Sequence, residues 1–138
     1  PPEKHLRTLD VNTHGPIRVT HAFLPDLLAS PTAHLVNIIS ASALIGLPGA
    51  STYAASKWAV RGITQCWQAE LRPHSIRVVS ICPSEVQTRW GGREGRDNPN
   101  KLYAVDIAET IMAALAMHPR AFWPELSVFA TNPWKEES

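Results

Sequence analysis

Two short apolar segments dominate the hydrophobic pattern of the chain. Residues 34–40 and residues 76–82 are runs of mostly aliphatic side chains without the apolar-polar alternation of a half-exposed strand. Such runs are typical of strands that are covered on both faces, as in a parallel sheet. A third apolar run, over residues 126–130, predicts another short strand. The pattern therefore predicts three short strands, of which the first is expected to be covered on both faces.

Between the first two strands, the apolar spacing changes to that of a helix. Apolar residues recur at three- and four-residue intervals up to Leu71, and Pro73 follows. The hydroxyl of Ser51 or Thr52 can cap this helix at its start. A strand, a helix and a second strand in this order predict a right-handed crossover connection. We therefore expect an α/β fold with a parallel sheet.

Helical spacing also marks both ends of the chain. Residues 3–29 predict helical segments with a bend near Gly15 and Pro16. Towards the C-terminus, Asp106 is expected to cap a helix that covers residues 107–116. These helices would flank the predicted sheet.

Composition and charge narrow the class of protein. The chain has 138 residues, of which 44% are hydrophobic, and this suits one globular domain. Its 13 basic and 12 acidic side chains give a net charge of +1, so charge offers no argument for nucleic acid or an acidic membrane as a partner. No apolar run reaches the roughly 18 to 20 residues of a membrane span. We expect a cytoplasmic protein with no nucleic-acid or membrane partner.

The cysteines and histidines are not spaced as metal ligands. Cys66 and Cys82 form no CxxC pair, and the six histidines show no paired spacing. We therefore predict a reduced chain without a metal site, with a disulfide between the two cysteines as the alternative.

The candidate chemistry lies at the start of the central helix. Tyr53 and Lys57 are four residues apart, which places their side chains on one face of a helix. A neighbouring ammonium favours the phenolate form of a tyrosine, so the phenol can exchange a proton with a substrate oxygen near neutral pH. Ser40 ends the first predicted strand thirteen residues before the tyrosine, and its hydroxyl is placed to polarise the same oxygen. This combination is typical of a redox active site.

Two loops are expected to border this site. Residues 41–50 are rich in small and turn-forming residues, which predicts a loop over the site and not a core element. Residues 85–101 predict a mobile substrate lid, in which Trp90 is the candidate substrate contact. Ser42 suits the catalytic role less well than Ser40, because it lies two residues later and is expected to hydrogen-bond within its own loop.

Five motifs in chain order resemble the C-terminal half of the short-chain dehydrogenase/reductase family. They are Val11-Asn12 with Gly15 following, Leu24-Pro25, residues 36–40, the helix of Tyr53 and Lys57, and residues 83–88. The resemblance implies part of a Rossmann-like, doubly wound parallel sheet, with three C-terminal strands and flanking helices. It also implies an oxidoreductase that transfers a hydride between a nicotinamide cofactor and an alcohol or ketone.

The resemblance assigns a role to each candidate residue. Tyr53 would be the general acid or base, Ser40 would hold the substrate oxygen, and Lys57 would also bind the nicotinamide ribose. Asn12 would hold a water that joins Lys57 to solvent, although beside a bend it could equally cap a helix. The cofactor would be NAD or NADP, with a slight preference for NADP because the C-terminal region resembles that of NADP-using reductases.

Three further residues match cofactor-binding positions of the family. Val86 and Thr88 match positions that contact the nicotinamide carboxamide, and Pro83 comes before them at the end of the second strand. Ser84 replaces the glycine that usually follows this proline, and its side chain would restrict the backbone or crowd the nicotinamide.

The glycine-rich fingerprint of dinucleotide binding is missing from this sequence. We therefore expect residues 1–138 to be a single catalytic-half domain, truncated at its amino terminus, with the nucleotide-binding half absent. The family builds a subunit interface from the helices that correspond to residues 3–29 and 51–71, so a homo-oligomer, dimer or tetramer, is expected. The alternative is a catalytically incompetent fragment that serves only as a dimerising module. A dehalogenase without nicotinamide is disfavoured, because such enzymes resemble YxxxR and this chain has Lys57.

Overall fold

The computed structural model describes residues 2–88 and 98–134. They form an α/β structure around a three-stranded sheet with the order β1 (His34–Ile38), β2 (Arg77–Pro83) and β3 (Glu125–Val128). Both strand pairs are parallel. The predicted α/β class is confirmed, and each strand end differs from its predicted position by at most two residues.

In these residues, four α-helices accompany the sheet. They are α1 (Pro2–Leu9), α2 (Gly15–Ala29), α3 (Ser51–Leu71) and α4 (Ala104–Leu115). α3 ends at Leu71 as predicted, and a 3₁₀ turn, Arg72–His74, takes up the proline that follows. None of these helices combines the length and the apolar character that crossing a bilayer requires.

The predicted helix caps are wrong in detail. α3 follows Ala50, which has no side chain that can cap, and the Thr52 hydroxyl instead lies 2.6 Å from Nδ1 of His5 in α1. α4 begins before Asp106, whose carboxylate accepts a hydrogen bond from the backbone N–H of Tyr103 at 2.7 Å. Asp106 thus stabilises the helix start from within the first turn and not from the cap position.

A π-helical turn, Asp10–His14, joins α1 to α2. The Gly15 N–H donates to the carbonyl of Asp10, five residues earlier, where an α-helix would use the residue four earlier. Pro16 has no N–H to offer to the carbonyl of Asn12, four residues before it. The predicted irregularity is therefore present, but as a wider turn of a continuing helix, immediately before Gly15.

The face of the sheet that meets α4 has an apolar interior. Its buried members are Val79 and Ile81 of β2, Leu102, and Ile107 and Ala114 of α4. Ile81 has no exposed surface. Removal of such aliphatic side chains from water, at about 25 cal/mol per Å², is the main source of folding free energy on this side.

The face that meets α3 carries polar residues across all three strands. Asn37 of β1 pairs in register with Ser80 of β2, which pairs with Glu125 of β3. Asn37 Nδ2 donates to the Thr64 hydroxyl of α3 at 2.8 Å, and Glu125 accepts from Arg61 of α3. We call Asn37, Ser80 and Glu125 the polar row. It lies between two apolar clusters on the same face.

Two predictions of burial are wrong. β1 is only half-buried and Ile38 is 55% exposed, because within the described ranges β1 has a neighbouring strand on one side only. Conversely, part of the predicted loop over residues 41–50 belongs to the core. Ser42 and Ala43 are buried in a 3₁₀ turn, Ala41–Ala43, whose small side chains let it lie against α3.

Candidate active site

Tyr53 and Lys57 lie side by side in the first two turns of α3. Nζ of Lys57 is 5.7 Å from the centre of the Tyr53 ring, within the range of a cation–π contact. The predicted shared helix face is therefore present. Lys57 is half-buried, and this burial lowers the pKa of its ammonium.

In the described part of the chain, Lys57 is without the carboxylate partner that a lysine removed from solvent usually has. No Asp or Glu within residues 2–88 and 98–134 forms an ion pair with it. An ammonium that no carboxylate neutralises keeps N–H donors for the oxygen atoms of a ligand.

Cys82 of β2 interacts with Ser40 and with the charge of Lys57. It is fully buried near the end of β2. The Ser40 backbone N–H donates to its sulfur, and the charges of Lys57 and Arg61 act on the same thiol. Burial, assisted by the Glu125 charge, raises the pKa of this thiol, so it is neutral near neutral pH. Ser40 is thus hydrogen-bonded to Cys82, and Lys57 is near enough for its charge to act on the same thiol.

Ser40 follows β1 in an extended conformation, directly before the turn Ala41–Ala43. Its Oγ accepts a hydrogen bond from the Ser42 N–H at 3.1 Å. Ser42 thus bonds within its own loop through its backbone. The Ser40 hydroxyl accepts this bond with a lone pair and keeps its own proton to donate to a second partner.

Asn12 is linked to Tyr53 through a buried serine. Its Nδ2 donates to the Ser56 hydroxyl at 3.1 Å, and that hydroxyl donates to the Tyr53 carbonyl at 2.6 Å. Thr13 lies next to it and donates to the Ser56 carbonyl at 3.4 Å. Asn12 lies inside the π-helical turn and not at a helix end, so the capping alternative is wrong. Sequence reasoning missed Ser56, although its position directly before Lys57 was a usable signal.

Arg61 is a second residue that sequence reasoning left without a role. Its guanidinium binds both oxygens of Glu125 in β3 and also reaches the carbonyl of Ala43. The helical spacing from Lys57 to Arg61 was visible in the sequence. Glu125 is 64 residues further along the chain, and nothing in the local pattern indicates that partner.

The predicted cofactor-binding residues lie at the end of β2 and directly after it. Pro83 is its last residue, and Val86 forms an isolated parallel bridge with Leu102. Thr88 is exposed at the edge of the described part. The predicted substrate contact Trp90 and the middle of the predicted lid lie outside the described residues. The structure thus links Asn12 through Ser56 to Tyr53 and places Ser40 against Cys82. Pro83 ends β2, and Val86 and Thr88 lie on the segment beyond.

A match to a known family model identifies the family to which the chain belongs. A family model described as short chain dehydrogenase matches residues 1–99. The chain belongs to the short-chain dehydrogenase family. The predicted family membership is confirmed, and the part matched by the model includes every candidate site residue.

Individual relatives agree with this family. An uncharacterized oxidoreductase of Staphylococcus saprophyticus is 37% identical over 107 residues, which are 78% of this chain and 46% of that protein. A short-chain dehydrogenase of Burkholderia cenocepacia, solved in complex with NADP, is 28% identical and superposes with a TM-score of 0.79 over 94% of this chain and 52% of that one.

The Rossmann-like fold is confirmed by superposition of the complete chain. An alcohol dehydrogenase of Thermococcus sibiricus, solved with 5-hydroxy-NADP, superposes over 100% of this chain and 58% of its own, with a TM-score of 0.85 at 24% identity. The chain spans about half the length of the uncharacterized staphylococcal oxidoreductases that it matches and 30% of a putative Mycobacterium tuberculosis oxidoreductase.

Proposed function

We propose that the intact protein is a nicotinamide-dependent oxidoreductase of small alcohols or carbonyl compounds. The observation that carries the proposal is the half-buried Lys57 ammonium beside the Tyr53 ring, without a carboxylate partner in the described part of the chain. A cation at this position stabilises the negative charge that develops on the phenol oxygen when the tyrosine transfers its proton. Membership of the short-chain dehydrogenase family supports the same chemistry.

Each of the four catalytic candidates then has a task. Tyr53 gives its phenolic proton to a carbonyl oxygen during reduction and takes it back during oxidation. Ser40 donates its free hydroxyl proton to the same oxygen and so holds the substrate. Lys57 stabilises the phenolate that remains after proton transfer. Asn12, tied to Ser56, is suited to hold the water that returns a proton from solvent, because Pro16 offers no N–H to its carbonyl.

The residues present suit the nicotinamide end of a dinucleotide. The donors of Lys57 match ribose hydroxyls, and Pro83, Val86 and Thr88 are our candidates for the contacts with the nicotinamide ring and its carboxamide. When bound, the cofactor supplies or accepts the hydride, and the protein supplies position, a proton route and electrostatics. NADP appears in the names of two superposed structures, so we retain the slight preference for NADP over NAD.

The test is Tyr53→Phe in the intact protein, which removes the hydroxyl and keeps the ring beside Lys57. We expect turnover of alcohols and carbonyl compounds to fall by roughly 10²- to 10⁴-fold, as expected for loss of a general acid or base. Affinity for NADPH, measured by fluorescence, should stay within about twofold. Tyr103→Phe, at the only other tyrosine in the sequence, is the control and should retain turnover. Activity that survives in Tyr53→Phe contradicts the assignment.

The same assay addresses the dimerising alternative. We propose that the protein forms a homo-oligomer, since apolar side chains of α2 and α3 such as Val19, Phe23 and Trp58 are about half exposed. If NADH and NADPH at millimolar concentration both fail to bind, while sedimentation still shows a dimer, the non-catalytic alternative replaces the enzyme proposal.

A further inference from the structure

Arg61 joins three elements that surround the candidate active site. Its Nε and Nη2 donate to the two carboxylate oxygens of Glu125 at 2.7 and 2.8 Å, and its Nη1 donates to the Ala43 carbonyl at 3.3 Å. Both charged side chains are only 25% exposed. A planar guanidinium is suited to such a bidentate contact, because its N–H groups are fixed in one plane. The contact ties α3 to β3 and to the turn that follows Ser40.

The position of Arg61 on α3 relates it to the proton-transfer pair. It lies four residues after Lys57 and eight after Tyr53, on the same side of the helix. Ser40, in contrast, belongs to a separate segment, and its distance from Tyr53 depends on how the turn Ala41–Ala43 lies against α3. Because Arg61 belongs to α3 and its guanidinium bonds to the Ala43 carbonyl, it links the helix of Tyr53 to the segment that follows Ser40.

Val60 of α3 shares a buried apolar cluster with Ala43 of this turn, whereas the hydrogen bonds of Gln68 lie further along the helix. Gln68 donates to the carbonyls of Val78 and Pro124 at 3.2 and 2.6 Å, nearly two helical turns beyond Arg61. Arg61 hydrogen-bonds the segment Ala41–Ala43 through its Nη1 and the carbonyl of Ala43. Gln68 fixes the helix against the sheet, whereas Arg61 fixes it against the segment that carries Ser40.

We propose that Arg61, oriented by Glu125, is a positioning residue that holds Ser40 at the correct distance from Tyr53 and Lys57. The proposal rests on the proposed function, in which the serine and the tyrosine bind one substrate oxygen. Misplacement of reacting groups by about 1 Å can reduce the rate 10²-fold, so even a small shift of the turn matters.

The test uses Arg61→Lys, which keeps the positive charge for Glu125. A lysine ammonium is a compact donor without the fork, and it cannot bind both carboxylate oxygens in a plane and the Ala43 carbonyl at once. Arg77→Lys is the matched control. Arg77 also bonds several backbone carbonyls, among them those of Leu115 and Met117, but it does so at the opposite end of β2.

Three measurements on the intact protein decide the proposal. In Arg61→Lys, amide hydrogen exchange of Ala43, Leu44 and Ile45 should accelerate by roughly tenfold, because local opening of the turn becomes easier. The fluorine NMR signal of 3-fluorotyrosine at Tyr53 should shift, while that at Tyr103 stays. The kcat for alcohol oxidation should fall by roughly tenfold with KM within about twofold. Arg77→Lys should lower the melting temperature and leave all three readouts unchanged.

The outcomes separate this proposal from the proposed function. Unchanged exchange and an unchanged Tyr53 signal in Arg61→Lys overturn the positioning role, whether or not the wild-type protein turns over. Faster exchange with an unchanged kcat also overturns it, because the ion pair is then only structural. If the wild-type protein shows no turnover with either nicotinamide, the proposed function fails, and the exchange and fluorine signals alone decide whether Arg61 positions the turn.

Discussion

The two faces of the sheet are built from neighbouring residues of the same strands, yet they have opposite interiors. Towards α4, β2 presents Val79 and Ile81 to an apolar cluster. Towards α3, it presents Ser80, the middle member of the polar row, beside Asn37 and Glu125. Each face is buried against helices. α4 covers one face, and α3 covers the other together with part of α2.

The two faces use different kinds of contact, apolar packing on the α4 face and hydrogen bonds on the α3 face. Apolar packing stabilises the fold in proportion to buried area but has little directional preference. Hydrogen bonds have fixed distances and angles, and a partner left unsatisfied costs about 1 to 3 kcal/mol. The α3 face therefore sacrifices some apolar contact and gains a defined position for the helix that carries Tyr53 and Lys57.

The largest expected effect is on the α4 face. Ile81→Ala should lower the free energy of unfolding by about 3 kcal/mol, since it removes a fully buried side chain from the centre of the apolar cluster. Urea denaturation measures this change. The control Ile45→Ala, at a side chain that is 61% exposed, should change the free energy by less than about 0.5 kcal/mol. A loss below about 1 kcal/mol in Ile81→Ala would show that the α4 face is not the main source of stability.

A smaller effect with a defined pH dependence is expected at Lys57. Burial lowers the pKa of its ammonium. At neutral pH, the charge is therefore less well solvated in the folded protein than in the unfolded chain. Lys57→Met should therefore stabilise the protein near neutral pH. We expect about 0.5 kcal/mol, because Lys57 is only partly shielded from solvent.

The pH dependence checks the cause of this effect. Between the lowered pKa and the usual value of 10.5, the unfolded chain binds the proton and the folded chain does not, so wild-type stability rises with pH in this window. The difference between wild type and Lys57→Met should shrink there and vanish above it. Urea titrations at several alkaline pH values measure it, with Lys4→Met on exposed α1 as the control. A constant difference would indicate a packing effect and not a charge effect.

The smallest effect is expected from Ser80→Ala, the neighbour of Ile81 on the opposite face. Among the described residues, its fully buried hydroxyl has no hydrogen-bond partner. Removal of an unsatisfied hydroxyl relieves its desolvation cost, so the free energy of unfolding should stay the same or rise by up to about 1 kcal/mol. Calorimetry measures the change. A clear loss of stability would mean that the hydroxyl binds a water or a side chain, and that the polar row is a closed network.

The elements with a continuous local pattern could be predicted from the sequence. The bounds of α3 follow from its helical spacing and from Pro73, and the strands follow from their aliphatic runs. The pair Tyr53 and Lys57 could also be predicted, because the geometry of one helix fixes residues four apart.

What could not be predicted depends on contacts between distant segments. The Arg61 and Glu125 pair is 64 residues apart, and only the parallel order of the strands brings β3 beside α3. The burial of Ser42 and Ala43 was missed because small residues suit both a solvent-exposed loop and a tightly packed turn. The sequence shows that Ser42 and Ala43 are small. Whether they form an exposed loop or a packed turn depends on how α3 packs against them.

The π-helical turn at Asp10–His14 has a consequence for insertions and deletions. A helix completes a turn in 3.6 residues, so one additional residue rotates everything before it by about 100° relative to everything after it. α1 owes its orientation, and His5 its contact with Thr52, to that single residue. Loss of one residue here would leave a regular helix of nearly the same length that directs a different side of α1 towards α3. For this segment, the number of residues in the turn therefore matters as much as their identity.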